Sequence, residues 1–533
     1  MPSAGAPAAR AASAAPPAAP PMAGSEPVPH RLLITLCTVG ATLMQALDQT
    51  IANVALPYMQ GSLSATYDEI TWVLTSYITA AAIMTAPVGW LAARFGRKYL
   101  FIACLVGFTI TSMMCGAAQS LDQMVIFRIL QGVFGAALVP LSQATMMDIY
   151  PVEQRGQAMA IWGVGVMIGP ILGPTLGGYL TELYNWRFVF YINLPFGLLA
   201  TFGLITFLPK TLPQTALRFD WFGFAVLTTA IGAFQLMLDR GQDQDWFGST
   251  EIIVEAVAAG LGLYLFLVHM SAARAPLIRP AIFRDVNFSS GLVLMFAMGT
   301  LLVSSLALMA PWLQNLANYP VETAGLVMAP RGFGNLITIT LAGKLTGRMD
   351  PRWLVAAGLL LICWSFWRMT GWTPDVDRRE IILAIVIQGA GMGLVFTPLQ
   401  VLAFATLPTS FRTEAASLFS LLRNIGAAIG VSVTSTMLTR HAQALHEEIG
   451  AAINPFNRAL QALSGTGRTL WDPGTADGIA RLDQVVTHQA QVIAYMNDYV
   501  LLICTTLPAL LLLLLMRQPR RAPVPVDQHA AMD

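Results

Sequence analysis

The stretch GWLAARF, residues 89–95, occurs a second time in altered form as GKLTGRM, residues 343–349. Both copies begin with glycine, have leucine third and arginine sixth. Each copy lies at the end of an apolar segment long enough to cross a membrane, which takes about 20 residues. Two related halves that rock around a central site are typical of membrane transporters. The repeat therefore predicts a membrane protein built from two similar halves.

The composition agrees with a membrane protein. The chain has 533 residues, of which 55% are hydrophobic and 11% are charged, with a mean hydropathy of +0.61. A soluble domain carries about 25% charged residues. The net charge of +1 gives no reason to expect a nucleic acid as a partner. We therefore expect one integral membrane domain rather than several soluble ones.

Fourteen apolar segments are candidates for membrane-spanning helices. They cover residues 32–57, 69–91, 98–119, 121–145, 156–180, 188–208, 219–238, 251–270, 288–313, 323–346, 352–371, 381–405, 413–438 and 497–516. If both termini are cytoplasmic, most of the Lys and Arg residues in short loops fall on the cytoplasmic side, as bacterial and other membrane proteins require. Lysine and arginine placement thus predicts fourteen spans with both termini in the cytoplasm.

These segments divide the chain into five parts. The predicted fold is all-α: two six-helix bundles plus two extra central helices that have no partner in the repeat. The parts are a disordered Ala/Pro-rich cytoplasmic tail at 1–30, an N-terminal bundle at 31–210, an inserted two-helix hairpin at 211–280, a C-terminal bundle at 281–516 that includes a periplasmic segment at 440–496, and a cytoplasmic tail at 517–533.

Asp48 is the one carboxylate that lies away from the ends of the predicted spans. Ionisable groups at membrane depth cost about 2.5–3.5 kcal/mol on insertion scales and are functional hypotheses by default. Because burial disfavours an ionised carboxylate, Asp48 can take up a proton when one face of a transporter is open and release it when the other opens. The alternative is a structural aspartate whose oxygens are satisfied by Gln49, by Asn53 or by the backbone.

Three arginines also lie at depth, and arginine stays protonated in proteins. We expect Arg128 to pair with Asp48 in one conformation. Arg331 and Arg423 either line the substrate cavity or bind carbonyl groups at helix C-termini. If they line the cavity, weak acids and uncharged amphiphiles suit it better than dications. The candidate cavity residues are Gln49, Asn53, Gln131, Arg331 and Arg423.

The fifth span has a regular glycine pattern. Glycines recur every fourth residue with prolines beside them: Gly165, Gly169, Pro170, Gly173, Pro174, Gly177 and Gly178. Spacing of four places the glycines on one helix face, where a neighbouring backbone can approach closely, and each proline removes a backbone donor. We expect a smooth, kinked face that slides between the two halves; ordinary packing of small residues is the alternative.

The loop that includes the first copy of the repeat is basic. Its motif residues are Gly89, Arg94, Gly96, Arg97 and Lys98. Two interpretations stay open: the positive charges anchor the loop on the cytoplasmic side, or the loop is a conformational latch between the halves.

These motifs resemble the major facilitator superfamily, specifically its 14-spanner drug:proton antiporter branch of EmrB/QacA-like multidrug efflux proteins. The resemblance covers about residues 32–516. It rests on LDQTIANVALP (47–57), the loop 89–98, RILQG (128–132), the glycines of span five, and WRF (186–188) with INLP (192–195). It implies that Asp48 and Arg128 couple transport to protons, that no cofactor is needed beyond the proton motive force, and that the protein lies in the bacterial inner membrane.

The chain departs from the family pattern at Ala93, where the loop motif normally has an aspartate. The usual carboxylate latch of this loop is therefore missing or replaced. Dication exporters of the branch are known for extra membrane carboxylates in the second half. We find none in this sequence, which favours exporters of weak acids and hydrophobic drugs.

Residues 440–496 form a long connection with a helical apolar stripe that includes Leu482 and Val486. Some relatives bind a periplasmic adaptor protein that leads to an outer-membrane channel, and this segment either contributes to such docking or caps the outer mouth. Two other functions are disfavoured by the sequence. A proton symporter that imports a small solute is disfavoured by the motif of span five. A membrane-embedded enzyme is disfavoured because all six histidines lie at span ends, in loops or in tails, and the cysteines lack the spacing of a metal site.

Overall fold

The computed structural model describes residues 29–151, 154–211, 213, 218–242, 244–346, 348–453 and 475–517. Within these ranges the secondary structure is helical, without strands, so the predicted all-α class is confirmed. The predicted tail at 1–30 falls almost entirely outside the described residues, as do most of the tail at 517–533 and residues 454–474 of the predicted periplasmic segment.

The helices up to residue 207 form the first bundle. They are α1 (Arg31–Leu63), α2 (Tyr67–Thr85), α3 (Val88–Phe95), α4 (Arg97–Ala117), α5 (Leu121–Gly135), α6 (Leu138–Ile149), α7 (Arg155–Leu183), α8 (Phe188–Tyr191) and α9 (Asn193–Phe207). The remaining helices are α10 (Trp221–Arg240), α11 (Thr250–Ala272), α12 (Val286–Pro311), α13 (Val321–Met328), α14 (Pro330–Leu345), α15 (Pro351–Met369), α16 (Arg378–Phe404), α17 (Arg412–Ala451) and α18 (Ala476–Leu515).

Every predicted span coincides with one helix or with two consecutive helices. By length and composition, eleven helices of the described residues can cross a membrane, or twelve if residues 69–85 and 88–95, bent by 58°, form one span. The break between them falls at Pro87, where proline cannot continue the backbone hydrogen bonds of a helix. The predicted spans at 156–180 and 323–346 are not among these helices, so the count of fourteen crossings stays a prediction.

The helix contacts repeat in the two halves. In the first half α1 packs on α7 and α9, α2 on α5, and α4 on α5 and α9. In the second half α12 packs on α17 and α18, α14 on α16, and α15 on α16 and α18. The two sets of contacts are the same when α1, α2, α4, α5, α7 and α9 are replaced by α12, α14, α15, α16, α17 and α18, in that order. This is the internal symmetry that the repeated loop predicts.

Helices α10 and α11 lie outside this symmetry. They pack against each other, and α10 also contacts α2 of the first half and α17 of the second. Asp220 links the two helices at the end where α10 begins and α11 ends. Its carboxylate accepts from Gly223 N at 2.8 Å and from Leu277 N at 3.1 Å, and lies 2.8 Å from His269 Nε2. This geometry is that of a hairpin joined to both halves, although the division into domains by residue number stays a prediction.

The outer faces of several helices are strongly apolar. Leu199 on α9 is 71% exposed, Leu514 on α18 is 79% exposed, and many other large apolar side chains are exposed on α11. Apolar surface of this extent is not stable against water and is expected against lipid.

Candidate functional site

Four polar side chains from three helices meet in the interior of the first half. They are Asp48 of α1, Arg128 and Gln131 of α5, and Asn193 of α9, and none has more than 1% of its surface exposed. Buried polar groups are costly without partners, so their contacts with one another decide what this cluster can do. We call these four residues the Asp48 cluster.

Three donors surround the Asp48 carboxylate. Arg128 NH1 donates to Oδ2 at 2.7 Å, Gln131 Nε2 donates to Oδ1 at 2.8 Å, and Asn193 Nδ2 donates to the same Oδ1 at 3.0 Å. Arg128 NH1 also donates to Gln131 Oε1 at 2.9 Å. Asp48 and Arg128 therefore form a buried ion pair, and each of these contacts to the carboxylate is a donated hydrogen bond.

Arg128 has further contacts that fix its position but leave one donor free. Its Nε donates to Val73 O at 2.9 Å and its guanidinium carbon lies 4.2 Å from the centre of the Tyr77 ring. Its NH2 is buried without a hydrogen-bond partner. Arg128 is thus held in place by its contacts while one of its donors stays unpaired.

Asn193 is a member of the cluster that the sequence analysis did not assign. Besides Asp48 it contacts Ser112 Oγ at 2.9 Å, and Ser112 donates to Phe190 O at 2.9 Å. The signal available in the sequence was an amide side chain inside the otherwise apolar span 188–208. The position of that side chain relative to Asp48, 145 residues away in the chain, depends on how α9 packs against α1.

The structure does not bring Gln49 and Asn53 to Asp48. Gln49 is half-buried and Asn53 is exposed, and the partners of Asp48 are the three donors already described. The partners that the structural alternative names for Asp48 are therefore wrong, whereas the choice between a structural and a proton-carrying Asp48 stays a prediction. The role of Gln49 and Asn53 as cavity residues stays a prediction.

The glycine face of α7 packs on α1 of the same half. A Cβ at Gly169 would lie 2.6 Å from Ala46 Cβ, and one at Gly177 would lie 2.9 Å from Ile51 Cγ1. Thr50 of α1 donates to Gly169 O at 3.3 Å. The expectation of a sliding interface between the halves is thus wrong for this face, because the glycines let α7 approach the helix that carries Asp48. The side chains of Pro170 and Pro174 lie outside the described residues.

Gly173 provides a test of this close packing. A Cβ at Gly173 would overlap Thr50 Oγ1, so we expect Gly173→Ala to separate α1 from α7 and destabilise the protein by about 1–3 kcal/mol. Gly178, which follows later in the same helix, has open space where its Cβ would be. Thermal unfolding in detergent should therefore show a clear loss of stability for Gly173→Ala and little change for Gly178→Ala. Equal effects in the two variants would contradict the role assigned to this face.

Other residues join the halves, and those with described side-chain contacts lie at one end of the bundle. We call it the loop end, because residues 86–98 lie there. Gln143 donates to Gln400 Oε1 at 3.0 Å, and the Trp162 and Phe396 rings stack with centres 6.1 Å apart. A Cβ at Gly156 would lie 2.8 Å from Gly343 O. The halves are therefore closed against each other at the loop end.

The basic loop takes part in this closure. Asp148 at the end of α6 forms ion pairs of 2.5 Å with Arg97 of the loop and with Arg412 of α17 in the other half. A Cβ at Gly89 would lie 2.9 Å from Glu414 Cα. The ion pairs of Asp148 thus join the loop to the second half, which favours the latch over simple anchoring.

Two further loop residues have structural tasks. Gly96 has φ +84°, a conformation that favours glycine, and it turns the chain between α3 and α4. Lys98 Nζ donates to Ile205 O at 2.7 Å and to Leu208 O at 2.5 Å, at the end of α9. Arg94 lies in the last turn of α3.

Arg331 and Arg423 flank α12 from two sides. Arg331 NH2 lies 3.4 Å from Leu302 O and 3.2 Å from Met392 Sδ, and the backbone of Arg423 lies against Gly299. Among the residues with described positions, neither guanidinium has a carboxylate within ion-pair distance. The centre of the second half therefore carries two positive charges without a negative one.

The expectation that the second half holds no buried carboxylate is wrong. Asp498 of α18 has a side chain with 0% exposure. It lies at the first residues of the predicted span 497–516, where sequence position alone suggests a solvated helix end. Asp498 is buried because α18 is 40 residues long and begins at Ala476, well before the predicted span. Asp498 therefore lies inside the helix, where α18 packs on neighbouring helices.

Comparisons with known proteins agree with this architecture. The sequence model of the Major Facilitator Superfamily matches residues 38–431. The Multidrug export protein EmrB of Escherichia coli strain K12 is 34% identical over 445 residues, which cover 82% of this chain and 87% of that protein. The Fatty acid resistance protein FarB of Neisseria gonorrhoeae is 34% identical over 470 residues, which cover 86% of this chain and 91% of that protein.

Solved structures support the same fold. The proton:xylose symporter XylE, bound to 6-bromo-6-deoxy-D-glucose, superposes with a TM-score of 0.57 at 15% identity and covers 90% of this chain and 95% of that chain. At this level of identity the similarity concerns the fold alone.

Proposed function

The chain belongs to the major facilitator superfamily, and we propose that it exports amphipathic drugs and weak-acid or hydrophobic toxic compounds across the bacterial inner membrane in exchange for protons. It is a transporter rather than an enzyme. The names of its relatives, multidrug export and fatty acid resistance, support export of amphiphiles.

The Asp48 cluster is the observation that carries the proposal. Asp48 and Arg128 form a fully buried ion pair, so neither exchanges protons with water until the bundle rearranges. Protonation of Asp48 removes its charge and with it the attraction to Arg128. Because α1 carries Asp48 and packs against the glycine face of α7, release of the ion pair changes the packing of α1 with its neighbours. Proton binding is thereby linked to the opening and closing of the halves.

The direction follows if the loop end is cytoplasmic, as the distribution of Lys and Arg predicts. The contacts of Asp148, Gln143 and Trp162 with the second half then close the cytoplasmic side. Export requires the opposite conformation to receive substrate from the cytoplasm or inner leaflet. Breaking the ion pair between Asp148 and Arg412 is one step on that path.

Arg331 and Arg423 determine the class of substrate in this proposal. Two guanidinium groups without carboxylate partners attract anions and repel cations. Weak acids in their anionic form and uncharged amphiphiles are therefore the favoured cargo, and dications are disfavoured.

The outer extensions of α17 and α18 support one further partner. These helices continue to Ala451 and begin at Ala476, so both project beyond their predicted spans at the end opposite the loop end. We propose that a periplasmic adaptor protein, leading to an outer-membrane channel, binds there.

Transport by the purified protein in liposomes tests the substrate class. With a pH gradient imposed, we expect uphill transport of a lipophilic weak acid that unlabelled weak acids inhibit at lower concentrations than dications do. Arg331→Gln and Arg423→Gln should each weaken inhibition by weak acids about tenfold, since a lost charge contact is worth about 1.4 kcal/mol or more. Arg440→Gln, an exposed position on α17, serves as the matched control. Stronger inhibition by dications than by weak acids would overturn this substrate assignment.

A further inference from the structure

Asp498 is buried without a hydrogen-bond partner. Neither of its carboxylate oxygens has a donor within reach, and its side chain is 0% exposed. The nearest opposite charge is His441 of α17, whose Nδ1 lies 3.8 Å from Asp498 Oδ1 and also has no partner. The adjacent Tyr499 hydroxyl is buried and unpaired as well. An ionised carboxylate in such surroundings is strongly disfavoured unless a positive charge lies beside it.

The other elements around Asp498 bring no compensating charge. Helix α12 and the π-helical turn Trp312–Leu316 contain no ionisable side chain. On α15, Arg368 is paired with Glu380 at 2.6 Å and Cys363 is neutral. On the outer parts of α17 and α18 the remaining ionisable groups are Arg440, His446, Glu447, Glu448, Asp477, Arg481, Asp483, His488 and Tyr495. Of these, His446 is paired with Asp483 at 3.0 Å, and within the described residues only His441 is within ion-pair distance of Asp498.

A cavity lies close to this pair at the outer end of the molecule, although neither His441 nor Asp498 lines it. It has a volume of about 610 Å³ and lies between α17, α18 and the π-helical turn. Tyr495, one helical turn before Asp498, lines it, and so do Thr439 and Ala442 on either side of His441. The side chain of His441 is 40% exposed. His441 is therefore the member of the pair that solvent reaches, while Asp498 stays enclosed.

We propose that Asp498 and His441 form a second proton-binding site, separate from the Asp48 cluster and loaded from the end opposite the loop end. The pair holds one proton in common. With the proton on Asp498 both groups are neutral, and with the proton on His441 the two form an ion pair. Loss of that proton would leave an ionised carboxylate buried without a compensating charge, so the site retains the proton. The proton enters through the exposed edge of His441.

The site lies between two long helices of the second half. Because α17 also carries Arg423, the helix that holds the proton at its outer part contributes a positive charge to the centre of the same half. The proposal concerns proton binding alone and does not depend on the substrates assigned above. A chain that transports none of the compounds tested can still hold a proton at Asp498.

Infrared difference spectroscopy of the purified full-length chain tests the site directly. A protonated carboxyl has a C=O stretching band that disappears when the group ionises. We expect the wild-type spectrum to contain such a band at acid and neutral pH, and Asp498→Asn to lack one component of it. Asp483→Asn is the matched control, because Asp483 also faces a histidine but is 61% exposed. An Asp498→Asn spectrum identical to that of the wild type would overturn the proposal.

His441→Gln tests the pair rather than the single residue. A positively charged imidazole favours the ionised carboxylate, and the variant lacks it. Asp498 should therefore lose its proton only at a proton concentration about tenfold lower, that is at higher pH, than in the wild type. An unchanged titration of the band would overturn the assignment of His441 to the site. This variant also provides a readout if Asp498→Asn does not yield a monodisperse protein.

Discussion

Asp48→Asn should abolish uphill export while leaving downhill exchange of substrate in place. Asparagine keeps the size of the side chain and can still accept from Gln131 or Asn193, but it cannot carry a proton. One charge that moves through 100 mV releases about 2.3 kcal/mol. At about 1.4 kcal/mol per decade, one proton per substrate sustains roughly a fiftyfold gradient of a neutral compound. We expect Asp48→Asn to sustain no such gradient.

The measurement is transport in liposomes with and without an imposed pH gradient. Asp122→Asn is the matched control, since Asp122 is an exposed carboxylate in the first turn of α5, the helix that carries Arg128. It should export as the wild type does. Uphill export that persists in Asp48→Asn would show that another group carries the proton. Loss of both uphill export and exchange would indicate instead that the substitution disrupts the bundle.

Arg128→Met should strongly destabilise the protein at neutral pH, and a second substitution at Asp48 should restore much of the loss. Removing one partner of a buried ion pair leaves an uncompensated charge and costs about 3–5 kcal/mol, whereas replacing both charges is often close to neutral. In Arg128→Met the remaining partners of Asp48 are the amides of Gln131 and Asn193. The double variant Asp48→Asn with Arg128→Met buries no charge at this position.

The stability of each variant relative to the wild type decides whether the two side chains are coupled. Unfolding in detergent, followed thermally at several pH values, measures it, and Arg440→Met at an exposed position of α17 is the control. If the single and double variants were equally unstable at every pH, the two side chains would not be coupled.

The sequence was sufficient for the class of fold. Apolar segments of span length, the repeated loop and the scarcity of charge follow from what a bilayer tolerates, because lipid offers no partners to polar groups. Asp48 and Arg128 stood out for the same reason. Each is expensive at membrane depth, so each attracts attention without knowledge of its neighbours.

The partners of these groups depend on packing between helices that are far apart in the chain. Asn193 joins the Asp48 cluster only because α9 packs on α1, and Asp148 pairs with both Arg97 and Arg412 only because α6 ends beside them. The glycines of α7 were identified as a close-packing face, but the sequence could not say which helix they contact. Helical periodicity determines which residues share a face and not what lies opposite that face.

Asp498 marks the same limit most clearly. Its position at the first residues of an apolar span is indistinguishable in sequence from that of a solvated helix end. Burial of its carboxylate beside His441 results from the extension of α17 and α18 past the span and from their contact there. The sequence by itself therefore determined that this is a two-fold helical membrane protein with a charged centre in its first half. Only the tertiary structure decided which side chains neutralise that charge, and which carboxylate of the second half is enclosed without a partner, because both depend on which helix faces are in contact.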